Sequence, residues 1–283
     1  MAKANPSLGR RDFLKSAGIA TLSLAAIGAG VGLMKTLHAS DSKNLLRPPG
    51  ARDEEDFIYA CIKCGLCVQI CPIGAVKLAD IDHNLSYGTP YINAREQACD
   101  FSCGALQCTE TCPTSALNFY KFKDVGEAAI MEYVKEHPNA YQDPEFNPIQ
   151  YQADKMHRDV RMGIAQLNPA SCLAVQGKGF HGTPREQGFD GVYLSVNQND
   201  KAARPVNDHH FDREVCDLCV TECPIGEKAI VMEKTEADGE MHFRPEVLDG
   251  CTGCGVCEMI CPTAQASIVI IPKNQLTEKG GEL

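Results

Sequence analysis

The chain has 283 residues and a formal net charge of −10, enough for one large domain or two smaller ones. Residues 1–39 hold five basic side chains against one acidic one, a local +4 that leaves −14 on the remainder. So acidic a body repels phosphate backbones and anionic lipid surfaces, and the absence of Trp counts against a stacking platform for single strands.

In chain order the first feature is RRDFLK, residues 10–15, followed by an uncharged run rich in Ala and Gly from Ala17 to Met34. Lys35 and the small residues Ala39 and Ser40 close it. This stretch resembles a twin-arginine export signal, apart from Gly9 where that signal more often has Ser or Thr. The resemblance implies that the chain is exported already folded around its cofactors. The alternative is an ordinary signal peptide or a single spanning helix, since about eighteen apolar residues are the minimum to cross a bilayer. Cleavage after Ala39 is expected, with a retained anchor as the other outcome, and in both cases the body is periplasmic.

Sixteen cysteines then set the class, because they do not scatter. They form four groups: Cys61, Cys64, Cys67 and Cys71; Cys99, Cys103, Cys108 and Cys112; Cys172, Cys216, Cys219 and Cys223; Cys251, Cys254, Cys257 and Cys261. Each group ends in Cys-Pro, at Pro72, Pro113, Pro224 and Pro262, so one device is used four times. The spacing C-x2-C-x2-C-x3-C-P occurs without departure at Cys61–Pro72 and Cys251–Pro262, and it is the bacterial run for a [4Fe–4S] cluster. Three thiolates on a tight loop reach one cube while the fourth points to a second, and proline carries the chain past. Gly65, Gly253 and Gly255 let backbone N–H groups approach the sulfurs.

Structural zinc uses two separated cysteine pairs and has no need of a third cysteine crowding each pair. Eight disulfides among such tight clusters would be strained, and no C-x-x-C here is followed by His, as a c-type haem requires. The second group has gaps of three, four and three residues, and the third is completed by Cys172, 44 residues before Cys216. All sixteen cysteines are therefore candidate ligands, to four [4Fe–4S] clusters.

Short apolar segments follow each Cys-Pro, AVKLADI, ALNFYKF, AIVMEKT and ASIVIIP, and PYINARE and MHFRPEV precede Cys99 and Cys251. The repeated unit reads as strand, cluster loop, one helical turn, strand. This gives an α+β fold of two ferredoxin-like two-cluster modules with long inserted loops. The expected divisions are a signal over 1–39, the first two groups over 40–123, a helical bridge over 124–171 around EAAIMEYVKEH, the last two groups over 172–275, and a tail over 276–283. Residues 176–213, rich in Gly and Asn, read as a surface loop. Sequential pairing of the groups is the simplest topology. The near-identity of the outer groups, set against two irregular inner ones, predicts instead outer with outer and inner with inner. The four sets would then be Cys61, Cys64, Cys67 with Cys261; Cys251, Cys254, Cys257 with Cys71; Cys99, Cys103, Cys108 with Cys223; and Cys172, Cys216, Cys219 with Cys112. Cores this small per cluster leave much of the folding free energy to the metal centres.

Taken together, RRDFLK, LRPPGA (46–51), CIKCGLCVQICP, KLAD, GTPYINAR (88–95), the CP-x-x-AL ending of the second group, CDLCVTECP and CTGCGVCEMICP resemble the NapG/MauM family of ferredoxin-type proteins, its NapG branch above all. The resemblance covers nearly the whole chain. It implies a periplasmic four-cluster carrier that takes electrons from a membrane quinol-oxidising partner, NapH-like, and passes them towards periplasmic nitrate reductase or its cytochrome subunit. Two departures stand out: three residues between Cys99 and Cys103 where relatives usually have two, and a longer 176–213 segment.

The alternative is the iron–sulfur subunit of another exported redox enzyme, a hydrogenase, a formate dehydrogenase or a methylamine-utilisation system. Catalysis at a cluster needs an iron without a cysteine ligand, and sixteen cysteines leave none open, so no catalytic residue is expected. A radical-type C-x3-C-x2-C, a Walker loop and a Rossmann glycine loop are all missing. The eight histidines, His209 and His210 among them, read as solvent-facing, and Asp53–Asp56 as a helix start.

Overall fold

The computed structural model describes residues 45–197, 202–237 and 240–276; the expected export signal and most of the expected tail lie outside them. Leu46 makes a lone bridge to Ile92, and Ala51 one to Leu117. Between these bridges Pro48 and Pro49 offer no N–H to a ladder. Arg47 is buried and pairs with Glu54. It also donates to Thr89 Oγ1 at 2.9 Å, to the Pro90 carbonyl at 2.9 Å and to Ser86 Oγ at 3.0 Å, tying the entering chain to the loop beyond the first cysteine group.

Helix α1 (Glu54–Ala60) opens with Glu54, Glu55 and Asp56 at its positive end, as the acidic run predicts. The first cysteine group contains the short α2 (Leu66–Ile70). Strand β1 (Val76–Leu78) then pairs antiparallel with β2 (Pro90–Ile92), Val76 opposite Ile92. The second group carries α3 (Gln107–Glu110). Next come α4 (Tyr120–Glu136) and α5 (Pro148–Arg158). Asn147 caps α5 by accepting from the N–H groups of Ile149 and Gln150, with Pro148 where no N–H is needed. The two helices pack so closely that a Cβ on Gly126 would lie 2.6 Å from Gln152 Cγ.

Strand β3 (Gly163–Leu167) begins the second half. It is followed by β4 (Phe180–Gly182), β5 (Val192–Tyr193), β6 (Arg204–Pro205) and β7 (Phe211–Arg213), paired antiparallel as β4 with β7 and β5 with β6. After α6 (Leu218–Thr221) the longest ladder joins β8 (Ile230–Ala237) to β9 (Glu240–Val247). Helix α7 (Val256–Met259) lies in the fourth cysteine group. Strand β10 (Ile268–Pro272) then returns to β3, Ile268 opposite Leu167 and Pro272 opposite Gly163, before the terminal α8 (Lys273–Leu276). The fold is thus α+β, and the halves share a plan. In each, the strand after the first cysteine group pairs with the strand before the second, and the ends of the half meet, through β3 and β10 in one and the Ala51–Leu117 bridge in the other. Among the described residues no helix is long and apolar enough to cross a membrane.

Three expectations change. ALNFYKF is not a strand: after one bridge at Leu117 the chain enters α4, because Phe119 and Phe122 stand three apart and pack on one helix face. Residues 163–167, inside the stretch read as a helical bridge, form β3, which belongs to a sheet of the second half. Residues 176–213 are not a surface loop. Tyr193, Val206 and Phe211 are buried in the main core, and two of the glycines that suggested exposure serve tight backbone approaches: a Cβ on Gly179 would lie 2.3 Å from the Arg213 carbonyl oxygen and one on Gly191 2.9 Å from that of Glu96. That core spans both halves, from Ile92, Ala98 and Leu106 to Val256, Met259 and Ile260. Two smaller cores flank it, one around Phe57 and Leu117, the other around Ile230 and Ile268.

Candidate metal centres

The loops between the cysteines are built on left-handed backbone. In the first group Lys63 (φ 57°) and Gly65 (φ 74°) take it, and in the fourth Gly253 (φ 70°) and Gly255 (φ 92°) take it at the matching positions. The irregular second group keeps the device: Phe101 (φ 58°) stands two residues after Cys99 and Leu106 (φ 55°) two before Cys108. The extra residues bulge between these anchors. In the third group Asp217 precedes α6 with φ −124°, outside the left-handed region.

All sixteen cysteines are described and all are free. They converge in four sets. Cys61, Cys64, Cys67 and Cys112 line one small apolar cavity together with Phe57 and Leu117. Cys172, Cys216, Cys219 and Cys261 line a second, and Cys223, Cys251, Cys254 and Cys257 a third. In the fourth set Cys99 lies within charge–charge range of Cys103 and Cys108, and both of these within range of Cys71. Each set is therefore three thiols from one group and the Cys-Pro cysteine of its neighbour.

The pairing is sequential, first group with second and third with fourth, which corrects the outer-with-outer expectation. The β1–β2 and β8–β9 pairs draw together groups adjacent in the chain, and short connections favour that topology. The likeness of the outer groups reflects the same loop geometry, not mutual contact. The placement of Cys172 with Cys216 and Cys219 agrees with the expectation.

The donor sets fit an iron–sulfur core. Burial pushes the thiols of Cys67 and Cys216 up to about 11 and holds those of Cys99, Cys108, Cys219, Cys254 and Cys257 well above the usual thiol range, with repulsion from neighbouring thiolates adding to it. Thiolates crowded in dry surroundings call for a cationic core between them. Among the described residues no three His, Cys, Asp or Glu side chains gather tightly enough to ligate one metal ion. Backbone N–H groups aim at the Cys-Pro sulfurs: Ala75 at Cys71 Sγ (3.3 Å), Leu117 at Cys112 Sγ (3.5 Å) and Ser267 at Cys261 Sγ (3.3 Å).

The 4Fe-4S dicluster domain family matches residues 60–116, and the 4Fe-4S binding domain family matches residues 248–264. The ferredoxin-type protein NapG of Escherichia coli (strain K12) is 32% identical over 275 residues, 95% of this chain and 88% of that protein. The methylamine utilization ferredoxin-type protein MauM of Methylorubrum extorquens is 31% identical over 280 residues, 97% of this chain and 93% of that protein. The chain belongs to the NapG/MauM family of ferredoxin-type proteins. NapG of Haemophilus influenzae is 29% identical over 271 residues, 94% of this chain and 72% of its own length. No solved structure matches. As in this family of iron–sulfur proteins, the chain carries two [4Fe–4S] ferredoxin-type domains; the matched residues hold the first, second and fourth cysteine groups, and Cys172, Cys216, Cys219 and Cys223 lie outside them.

The two halves meet beside their cysteine groups. Cys99 donates its N–H to the Cys254 carbonyl at 3.0 Å, and the Ala98 N–H points to Met259 Sδ. Arg95 of the first half donates to the carbonyls of Glu258 (2.6 Å), Cys261 (2.8 Å) and Thr263 (2.7 Å) in the second. Arg185, stacked 3.8 Å from the Phe189 ring centroid, donates to the carbonyls of Arg95 and Met259. Beside Cys223, the buried Glu222 accepts from Tyr193 Oη (3.1 Å) and Asn197 Nδ2 (2.7 Å).

None of these supports was singled out by sequence reasoning, although Arg95 closes the GTPYINAR string that marks the family. His157 corrects the solvent-facing reading of the histidines: it is buried, stacked 4.9 Å from Phe101, and burial holds its imidazole down to about 4.

Proposed function

We propose that this protein is a periplasmic electron carrier holding four [4Fe–4S] clusters, and not an enzyme in its own right. One observation carries the reading: all sixteen cysteines gather in four sets of four, each completed by a thiol from the neighbouring group. The ligands are assigned as Cys61, Cys64, Cys67 and Cys112; Cys99, Cys103, Cys108 and Cys71; Cys251, Cys254, Cys257 and Cys223; and Cys216, Cys219, Cys172 and Cys261. A [4Fe–4S] cluster supplies a one-electron couple when bound. The chain's own part is to exclude water with the three apolar cores, to aim N–H groups at the sulfurs and to hold the halves in register through Arg95 and Arg185, which orders the four sets along one molecule.

We assign residues 1–39 to a twin-arginine signal, 40–123 to the first pair of groups, the segment from 124 to a bridge, and the stretch opened by β3 and running to 275 to the second pair, with 276–283 as tail. The donor is read as a membrane quinol-oxidising, NapH-like protein and the acceptor as periplasmic nitrate reductase or its cytochrome subunit, following the identity to NapG. The almost equal identity to MauM favours methylamine utilisation as the second reading.

The test is anaerobic purification with iron and acid-labile sulfide analysis, followed by low-temperature paramagnetic resonance after reduction. About sixteen of each per chain and a cubane-type spectrum are expected. A colourless protein with zinc, or with its thiols bridged to one another, overturns the reading.

A further inference from the structure

The first and fourth cysteine groups share one spacing, yet their surroundings differ. Thr252, Val256 and Ile260 of the fourth are 1%, 1% and 0% exposed, covered by the rest of the chain. Their counterparts Ile62, Leu66 and Ile70 are 63%, 40% and 41% exposed. Cys64 is the one exposed cysteine of the sixteen. Ile62, Leu66 and Leu78 rim the cavity that Cys61, Cys64, Cys67 and Cys112 line. The turn that carries the exposed Ile81 and Leu85 ends at Gly88, where a Cβ would lie 3.2 Å from Lys63 Cδ, so it sits beside the same loop. Of the fifteen large apolar side chains exposed among the described residues, eight fall between residues 59 and 87. Such concentration marks an interaction surface. The fourth group shows what this loop needs, since there the same apolar positions are covered by protein.

Charge selects the cover. The exposed charges between residues 55 and 82 are four carboxylates, Glu55, Asp56, Asp80 and Asp82, against two ammonium groups, Lys63 and Lys77, the second of them paired with Glu96. An anionic lipid surface is repelled by that border, whereas a protein face edged with Arg or Lys is steered onto it. We propose that residues 59–87 form the docking surface for a protein partner whose contact face is apolar at its centre and basic at its rim, seated over Cys64. The proposal rests on the electron-carrier reading, because the exposed thiol offers another protein the shortest approach to any of the four sets.

The full chain, purified with its iron, would carry a photo-crosslinking residue at position 81 or 85, and at Tyr141 or Met241 as controls. It would be mixed with the purified quinol-oxidising membrane protein in nanodiscs. Cross-links from 81 and 85 and none from the controls are expected. Ile81→Asp should weaken binding about tenfold, as a charge forced into an apolar contact, with iron content unchanged, and Asp80→Lys with Asp82→Lys should flatten the salt dependence.

Cross-links from Tyr141 or Met241 alone overturn the surface and leave the carrier reading intact. Cross-links from 85 to residues 17–34 of the same chain, or binding to vesicles of phosphatidylcholine and phosphatidylglycerol that Ile81→Asp abolishes, overturn the proposed occupant. No association with an iron-loaded, reducible protein overturns the proposal. A protein without iron overturns the reading beneath it.

Discussion

The loop of the fourth cysteine group is built as an interior part and that of the first as an exterior one, from nearly the same residues. In the fourth, a Cβ on Gly253 would lie 2.5 Å from the Gly163 nitrogen, and one on Gly255 would lie 2.5 Å from Ala94 Cβ. In the first, the position of Gly253 is filled by Lys63, and a Cβ on Gly65 would meet nothing within 4 Å. Both glycines of the fourth loop serve two demands, positive φ and close packing, whereas Gly65 serves only the first. The same division runs through the outer pairing. The second half closes with the five-residue β3–β10 ladder laid against its ligand loop, and the first half, with Pro48 and Pro49 in the corresponding strand, closes with a single bridge. Cluster chemistry dictates the loop, and its neighbours dictate how much side chain the loop can carry.

The sharpest break in the comparison comes from the twin thiols. Cys254→Ala removes a buried thiol at the contact between halves and opens a cavity beside the core around Met259 and Ile260. Loss of folded protein is expected, seen as insolubility and near-complete loss of iron. Cys64→Ala removes the exposed twin, and a folded chain short of about four irons out of sixteen is expected. Equal yields of the two variants would refute the interior–exterior division.

Glycine substitutions come next. Gly253→Ala must bear both a left-handed backbone and an overlap with Gly163, so about 3 kcal/mol or more of destabilisation is expected, against about 1 kcal/mol for Gly65→Ala. The order is read from the urea midpoints for loss of cluster absorbance under anaerobic conditions. Similar midpoints would show that β3 yields to the added methyl group.

Arg95 tests what covers the fourth loop. Its guanidinium satisfies three carbonyls within 2.8 Å between Glu258 and Thr263, and a lysine cannot reproduce that fork. Arg95→Lys is expected to cost about 2 kcal/mol, through buried acceptors left without donors, and to lower the midpoint for the second half's clusters before the first's. A uniform shift would place the residue's effect in the whole core.

These contrasts also mark what could be read from sequence. Cysteine spacing reports chemistry within a dozen residues, so the ligands, the one-turn helices and the strands after Cys71, Cys223 and Cys261 were legible. The sequential pairing was not, because Cys112 and Cys261 have equivalent local surroundings and only the β1–β2 and β8–β9 pairs decide which loop each one faces. Tyr193, Val206 and Phe211 were hidden for a related reason: they sit singly among Gly, Asn and charged residues, and their burial depends on helices and loops far away in the chain. Arg95 and Glu222 act on backbone and side chains up to 169 residues distant, beyond any periodicity.

The smallest expected effect is the most specific to the exterior loop. Lys63 holds a left-handed φ that costs an ordinary residue about 1–2 kcal/mol, where its twin is Gly253. Lys63→Gly removes that strain. Against the gain stand the greater freedom of glycine in the unfolded chain, about 0.5–1 kcal/mol, and the loss of an ammonium 5.8 Å from the Tyr87 ring centroid, worth about 0.5 kcal/mol at an exposed site. The terms nearly cancel, between about 0.5 kcal/mol of loss and about 1 kcal/mol of gain, so Lys63→Gly should shift the stability read from the first half's clusters by only a few tenths of a kcal/mol, towards a gain. Tyr87→Leu, which removes the ring and keeps the lysine, should lower it by a similar amount. If Lys63→Gly instead lowered the midpoint by more than about 1 kcal/mol, the ammonium–ring contact would outweigh the backbone strain, and the side chain at this position would be part of the loop's support instead of a tolerated cost of its exposure.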